Sequence, residues 1–134
     1  MRKKILLVED NKDLLELLRL NLKEAGFAVT TTTNGLDALR KAAALRPDLI
    51  VLDLMLPELD GFEVCETLRK MPETVGTPIL ILSGLSSHFA RLTGLESGGT
   101  DFITKPASPD ALVTKIKAML STSGQAVPTE DVTA

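Results

Sequence analysis

Four short, largely apolar runs in this chain each end on residues that could do chemistry. Ile5-Leu6-Leu7-Val8 runs into Glu9 and Asp10, and Leu49-Ile50-Val51-Leu52 into Asp53. Ile79-Leu80-Ile81-Leu82 leads to Ser83, and Asp101-Phe102-Ile103-Thr104 to Lys105. Three carboxylates brought close repel one another, and at least one pKa rises unless a cation compensates. An all-oxygen donor set points to Mg2+, with Mn2+ or Ca2+ as substitutes; a backbone carbonyl from the loop after Asp53 and several waters would complete the shell. Lysine can pair a phosphoryl oxygen as a point charge, and a serine hydroxyl can donate to another. With an aspartate as covalent acceptor, this set suits phosphoryl transfer. One acid at a strand end is more often a cap or turn residue. The placement of all five polar residues at such ends is the signal.

Positioning them requires a regular scaffold, and the hydropathy pattern supplies one. The apolar runs suit strands buried on both faces. Phe27 to Thr32 adds a β-branched, less apolar strand, expected at an edge. Between them lie helical patterns over 12–25, 36–45, about 62–71, about 87–97 and about 109–120. Asn11 and Ser108 are placed to cap the first and last, and Gly26 to close the first. Asn34-Gly35 reads as a turn, and Arg46-Pro47 stops the second helix. Five strands alternating with five helices imply a parallel sheet covered on both faces, a doubly wound α/β fold. Right-handed crossovers place every strand's C-terminal end on one rim, where ligands bind in open α/β sheets. In the order 2-1-3-4-5, strands one and three are neighbours, so Asp10 and Asp53 lie side by side.

Composition removes other classes. The 134-residue chain has room for one domain. A single Cys and a single His exclude an internal disulfide and a Cys/His zinc site. A net charge of −3 argues against direct nucleic-acid binding. No apolar run reaches the ~18 residues of a spanning helix, and the N-terminal run is too short for a signal peptide. A cytoplasmic location is expected, with no membrane contact.

Taken in order, the motifs Ile-Leu-Leu-Val-Glu9-Asp10, Leu-Ile-Val-Leu-Asp53-Leu-Met-Leu-Pro57 with Asp60-Gly61, Pro78-Ile-Leu-Ile-Leu-Ser83 and Asp101-Phe-Ile-Thr-Lys105-Pro106 resemble the receiver domain of bacterial two-component response regulators. The resemblance covers residues 3 to about 121. It implies a flavodoxin-like (βα)5 fold with strand order 2-1-3-4-5, as in the chemotaxis response regulator. It implies that Asp53 takes a phosphoryl group from a phosphohistidine on a sensor histidine kinase or phosphotransfer protein. Asp10, Asp53 and the Met55 carbonyl would be direct ligands of Mg2+, with Glu9 acting through water. Ser83 and Lys105 would hold the phosphoryl group. Phe102 would be the aromatic switch, turning inward as Ser83 moves, and the face formed by helix 4, strand 5 and helix 5 would change its partner affinity. A homodimer through that face is also implied.

The sequence departs from the commonest family pattern at Gly84 and Gly99, where Ala is usual, at Ala107, where Phe is usual, and at Phe102, where Tyr is commoner. The two glycines are expected to loosen their loops. The domain is placed at 1–121, with 122–134 as a disordered tail or truncated linker. Met55 and Leu85 occupy positions that flank the hydrolytic water in the family. Both are apolar, so slow self-dephosphorylation is expected. His88 reads as a surface or capping residue and Cys65 as a small buried hydrophobe. The Lys105–Pro106 bond is a cis candidate by the same resemblance. The domain is expected to catalyse its own phosphorylation without being a turnover enzyme. The rival is a pseudo-receiver, an unphosphorylated protein-interaction module; the intact Asp10, Asp53, Ser83 and Lys105 speak against it.

Overall fold

The structure is a computed structural model that describes residues 2–57, 59–84 and 88–125, without the side chains of 88–90 and 122–125. Strands β1 (Lys4–Val8), β2 (Ala28–Thr32), β3 (Leu49–Asp53), β4 (Ile79–Ser83) and β5 (Asp101–Thr104) alternate with helices α1 (Lys12–Glu24), α2 (Gly35–Leu45), α3 (Gly61–Lys70), α4 (His88–Glu96) and α5 (Pro109–Gln125). All pairings are parallel, in the order β2-β1-β3-β4-β5, so the less apolar β2 is at an edge as its composition suggests. This is the doubly wound α/β sheet expected from the alternation, in the flavodoxin-like order that the family resemblance implies.

The apolar runs bury both faces because side chains alternate across a strand. Leu6, Val8, Ile50, Leu52, Ile79 and Ile81 point to one face and pack with Ala38, Val64 and Leu68. Ile5, Leu7, Leu49, Val51, Leu80 and Leu82 point to the other and pack with Leu18, Leu22, Leu112 and Ile116. Each fully buried leucine among them contributes enough that truncation to alanine costs about 2–5 kcal/mol.

Caps fix where the helices begin. The Asn11 side chain accepts from the Leu14 N–H, Asn34 from Asp37 and Asp60 from Phe62. Asn34-Gly35 is therefore the start of α2 rather than a separate turn. Ser108 Oγ accepts from the Ala111 N–H at 3.1 Å, as its capping position predicts. Arg46 closes α2 in the left-handed conformation just before Pro47. Helix α5 continues to Gln125, past the end at about Leu120 read from the pattern. Its apolar stripe ends at Met119 and Leu120, but backbone hydrogen bonding propagates beyond the last packed turn. The remainder of the expected tail, 126–134, lies outside the described residues. Among the described residues, no helix is long and apolar enough to cross a membrane.

Candidate functional site

The register brings the strand ends to one rim. Val8 pairs with Leu52, Asp53 with Leu82, and Ser83 with Thr104. The residues that follow, Glu9 and Lys105, are thereby carried beside Asp53. Oxygens of Glu9, Asp10 and Asp53 lie within 4.8 Å of one another; Glu9 and Asp53 are buried and Asp10 is exposed. Lys105 Nζ sits between the two buried acids, 2.9 Å from Glu9 Oε1 and 3.1 Å from Asp53 Oδ2.

Backbone groups hold the carboxylates. The Met55 N–H donates to Asp53 Oδ1 at 3.0 Å, and the Asn11 N–H to Glu9 Oε2 at 3.1 Å. The Glu9 N–H donates to the Thr32 carbonyl at 3.1 Å, which ties the first acid to the end of β2. The Lys105 N–H donates to the Ser83 carbonyl at 2.8 Å, so β4 and β5 deliver their two residues together. Gly61 sets the loop after Asp53. Its N–H donates to the Leu54 carbonyl at 3.0 Å, and a Cβ there would stand 2.4 Å from Leu54 Cα and 2.7 Å from the Asp53 carbonyl oxygen. Only glycine admits that approach.

The electrostatics follow from burial and charge. Burial pushes the Glu9 carboxyl above the ordinary range, and Lys105 and the Asn11 N–H pull it only part of the way back. Burial pulls the Lys105 ammonium down, but its contacts with Glu9 and Asp53 outweigh this and hold it above the usual lysine value. Lys105 Nζ, 2.9 Å away, compensates the charge on Glu9 Oε1. Three converging carboxylates, two of them buried, form an all-oxygen donor set that fits a hard divalent cation. Glu9, Asp10 and Asp53 are the side chains that would hold it.

Of the residues singled out in the sequence, Glu9, Asp10, Asp53 and Lys105 converge directly. Ser83 is buried at the adjoining strand end. The Met55 side chain is 58% exposed at the mouth, and its backbone reaches Asp53. Leu85 lies outside the described residues, as does the His88 side chain at the start of α4. Cys65 is fully buried on α3, and burial pushes its thiol up to about 11. The Lys105–Pro106 bond is cis.

Phe102 stands apart from the acids, on β5 under α4. Its ring is turned in and only 4% exposed. The guanidinium carbon of Arg91 lies 5.8 Å from its centroid, and a Cβ on Gly94 would be 3.7 Å from the ring. The sequence reading missed both neighbours, since neither stands at a strand end. At Gly84 a Cβ would meet no neighbour within 4 Å. Gly99 is a correction: a Cβ there would stand 2.8 Å from Ile81 Cγ1 and 3.0 Å from the Gly94 carbonyl. It permits close packing rather than loosening a loop.

A family model described as "Response regulator receiver domain" matches residues 5–117. The chain is 44% identical over 132 residues to the alkaline phosphatase synthesis transcriptional regulatory protein PhoP of Bacillus subtilis (strain 168), covering 98% of this chain and 54% of that protein. It is 42% identical over 120 residues to the phosphate regulon transcriptional regulatory protein PhoB of Rhizobium meliloti (strain 1021), covering 90% and 53%. The chain thus spans about half the length of these curated relatives. Among solved structures, the chemotaxis response regulator CheY4 of Vibrio cholerae is 30% identical with a TM-score of 0.84, covering 88% of this chain and 98% of that one. A putative response regulator from Chloroflexus aurantiacus is 33% identical with a TM-score of 0.85, covering 90% and 99%. Four separate motifs, the 2-1-3-4-5 sheet and the rim of acids and lysine therefore lead to one family, and the chain belongs to the receiver domains of two-component response regulators.

Proposed function

We propose that the domain takes a phosphoryl group from a phosphohistidine onto Asp53, with Mg2+ as cofactor. The donor would be a sensor histidine kinase or a phosphotransfer protein. The observation that carries this reading is the Lys105 ammonium lying between Glu9 and Asp53, with Asp10 beside them. A carboxylate oxygen of Asp53 attacks phosphorus, the P–N bond breaks, and its electron pair returns to the imidazole, which takes up a proton from solvent. The product is an aspartyl phosphate. Bound Mg2+ would offset the charge on the carboxylate and the incoming phosphoryl group. Asp10, Asp53 and the Met55 carbonyl would ligate it, with Glu9 acting through water. Lys105 then exchanges its contact with Asp53 for a phosphoryl oxygen, and Ser83 donates to another. The Met55 N–H keeps the carboxylate oriented throughout.

The output is carried by α4, β5 and α5. With Phe102 turned in, engagement of Ser83 would hold the ring and α4 in place and change the affinity of that face, including for a second copy. The protein is its own substrate and not a turnover enzyme, and it works in the cytoplasm. Similarity to proteins named as transcriptional regulators supports an output in transcription, with any DNA contact made outside this acidic domain. The test is incubation with acetyl phosphate and Mg2+, followed by intact mass measurement. Wild type gains one phosphoryl group and Asp53→Asn gains none; an unmodified wild type favours the pseudo-receiver.

A further inference from the structure

Beneath the turn that carries Lys105 lies a cavity of about 110 Å3, separate from the cluster of acids. Leu14 and Leu18 of α1, Leu82 of β4 and Leu112 of α5 form its walls, and the Lys105–Ala107 turn borders it. Leu18, Leu82 and Leu112 are buried in the core, whereas Leu14, Lys105 and Ala107 are half-buried and Pro106 is exposed, so the cavity has a core floor and opens toward solvent at the turn. The lining is almost wholly apolar. A water needs two to four polar partners to remain in such a space, whereas an apolar cavity of about 150 Å3 stays dry and takes up benzene or xenon. Ala107 contributes only a methyl group to the lining at the turn.

We propose that this cavity is a binding site for a small apolar molecule, up to the size of a single unsubstituted aromatic ring. Lys105 is one of its lining residues, and its ammonium pairs with Glu9 and Asp53. An occupant packs against the side chain that bridges the two buried acids, so its presence is felt at the charged rim without entering it. The site is argued from packing and does not rest on the proposed role of Asp53.

Benzene titrated into methyl-labelled protein is the probe, with xenon under pressure as the smaller companion. Saturable shifts are expected at the methyls of Leu14, Leu18, Leu82 and Leu112. Cross-relaxation is expected from benzene protons to the Lys105 methylenes, while Leu6 and Leu52 on the opposite face stay unmoved. Ala107→Phe fills the space and abolishes the shifts; Ala107→Leu serves if the larger ring disturbs folding. The proposal is overturned by the absence of a saturable shift with both probes, by shifts spread equally over both faces, or by shifts that persist in a folded Ala107 variant.

Discussion

At the scale of single residues, Asp53 is a carboxylate held by one amide and one ammonium, and each contact has a separable consequence. Removing the ammonium by Lys105→Ala leaves Glu9 and Asp53 facing each other with no cation between them. Truncating one partner of a buried pair typically costs about 3–5 kcal/mol. Because Lys105 remains partly exposed, the loss in urea unfolding without Mg2+ is expected at the lower end of that range, and added Mg2+ should restore part of it. A variant as stable as wild type in both conditions would mean the ion pair contributes nothing. Met55 sets the second prediction. Its exposed apolar side chain offers no group to orient a water, so Met55→Asn is expected to shorten the aspartyl-phosphate lifetime. The change should be on the order of tenfold, modest beside the 10²–10⁴ of a fully placed general base. An unchanged lifetime would sink this account of Met55. Cys65 supplies the third. With its thiol pushed up to about 11 by burial, it should resist a thiol reagent at pH 8 in the native state and react once urea unfolds the protein. Rapid labelling of native protein would contradict the packing of α3.

At the scale of elements, the ends of helices and strands carry contacts that no pattern announces. Arg69, in the last turn of α3, donates to the carbonyls of Thr74, Thr77 and Gly98 at 3.1, 2.6 and 2.9 Å, and to Thr100 Oγ1 at 3.2 Å. Burial lowers its pKa, yet it has no acidic partner among the described residues, only oxygen dipoles. It joins α3 to the loop before β4 and to the turn before β5. Arg69→Ala leaves those carbonyls without their donor and is expected to cost about 2 kcal/mol in chemical unfolding, since hydrogen bonds to charged groups contribute roughly 1.5–3 kcal/mol. Arg69→Lys, lacking the fork, should recover little of it. At the start of α2, the Thr32 hydroxyl donates to Asp37 Oδ2 at 2.8 Å and, with Lys41 and Arg40 nearby, holds the Asp37 carboxyl below its ordinary value. A depressed carboxyl pKa contributes stability above the unfolded value near pH 4, and that contribution is lost as pH falls through the folded value. Thr32→Val should therefore lose stability at pH 7 and show a shallower acid dependence than wild type. Parallel curves for the two proteins would remove the hydroxyl from the explanation.

For the whole molecule, what could be read in advance follows from what periodicity records. Strands buried on both faces announce themselves as apolar runs, so β1, β3 and β4 and the polar residues at their ends are legible. Their convergence followed from parallel topology, which places all C-terminal ends on one rim. Long-range packing leaves no such trace. The anchoring of Arg69, the contact of Gly99 with Ile81 and the burial of Phe102 beneath Gly94 and Arg91 depend on how α4 lies on the sheet. A glycine that admits a neighbour looks, in sequence, like a glycine that loosens a loop. The end of α5 was misread because its last turn has no apolar stripe to mark it. The charged rim was the easier part of the molecule, since its residue types are costly to gather without a purpose.

The account stands most directly on the identity of the acceptor. Protein phosphorylated with acetyl phosphate and Mg2+ can be reduced with borohydride, which converts an aspartyl phosphate to homoserine, and then mapped by peptide mass spectrometry. Homoserine at position 53 and at no other acid is the expected result. Homoserine at Asp10 or elsewhere, or a phosphorylated protein with Asp53 intact, would contradict the assignment of this rim as the phosphoacceptor site.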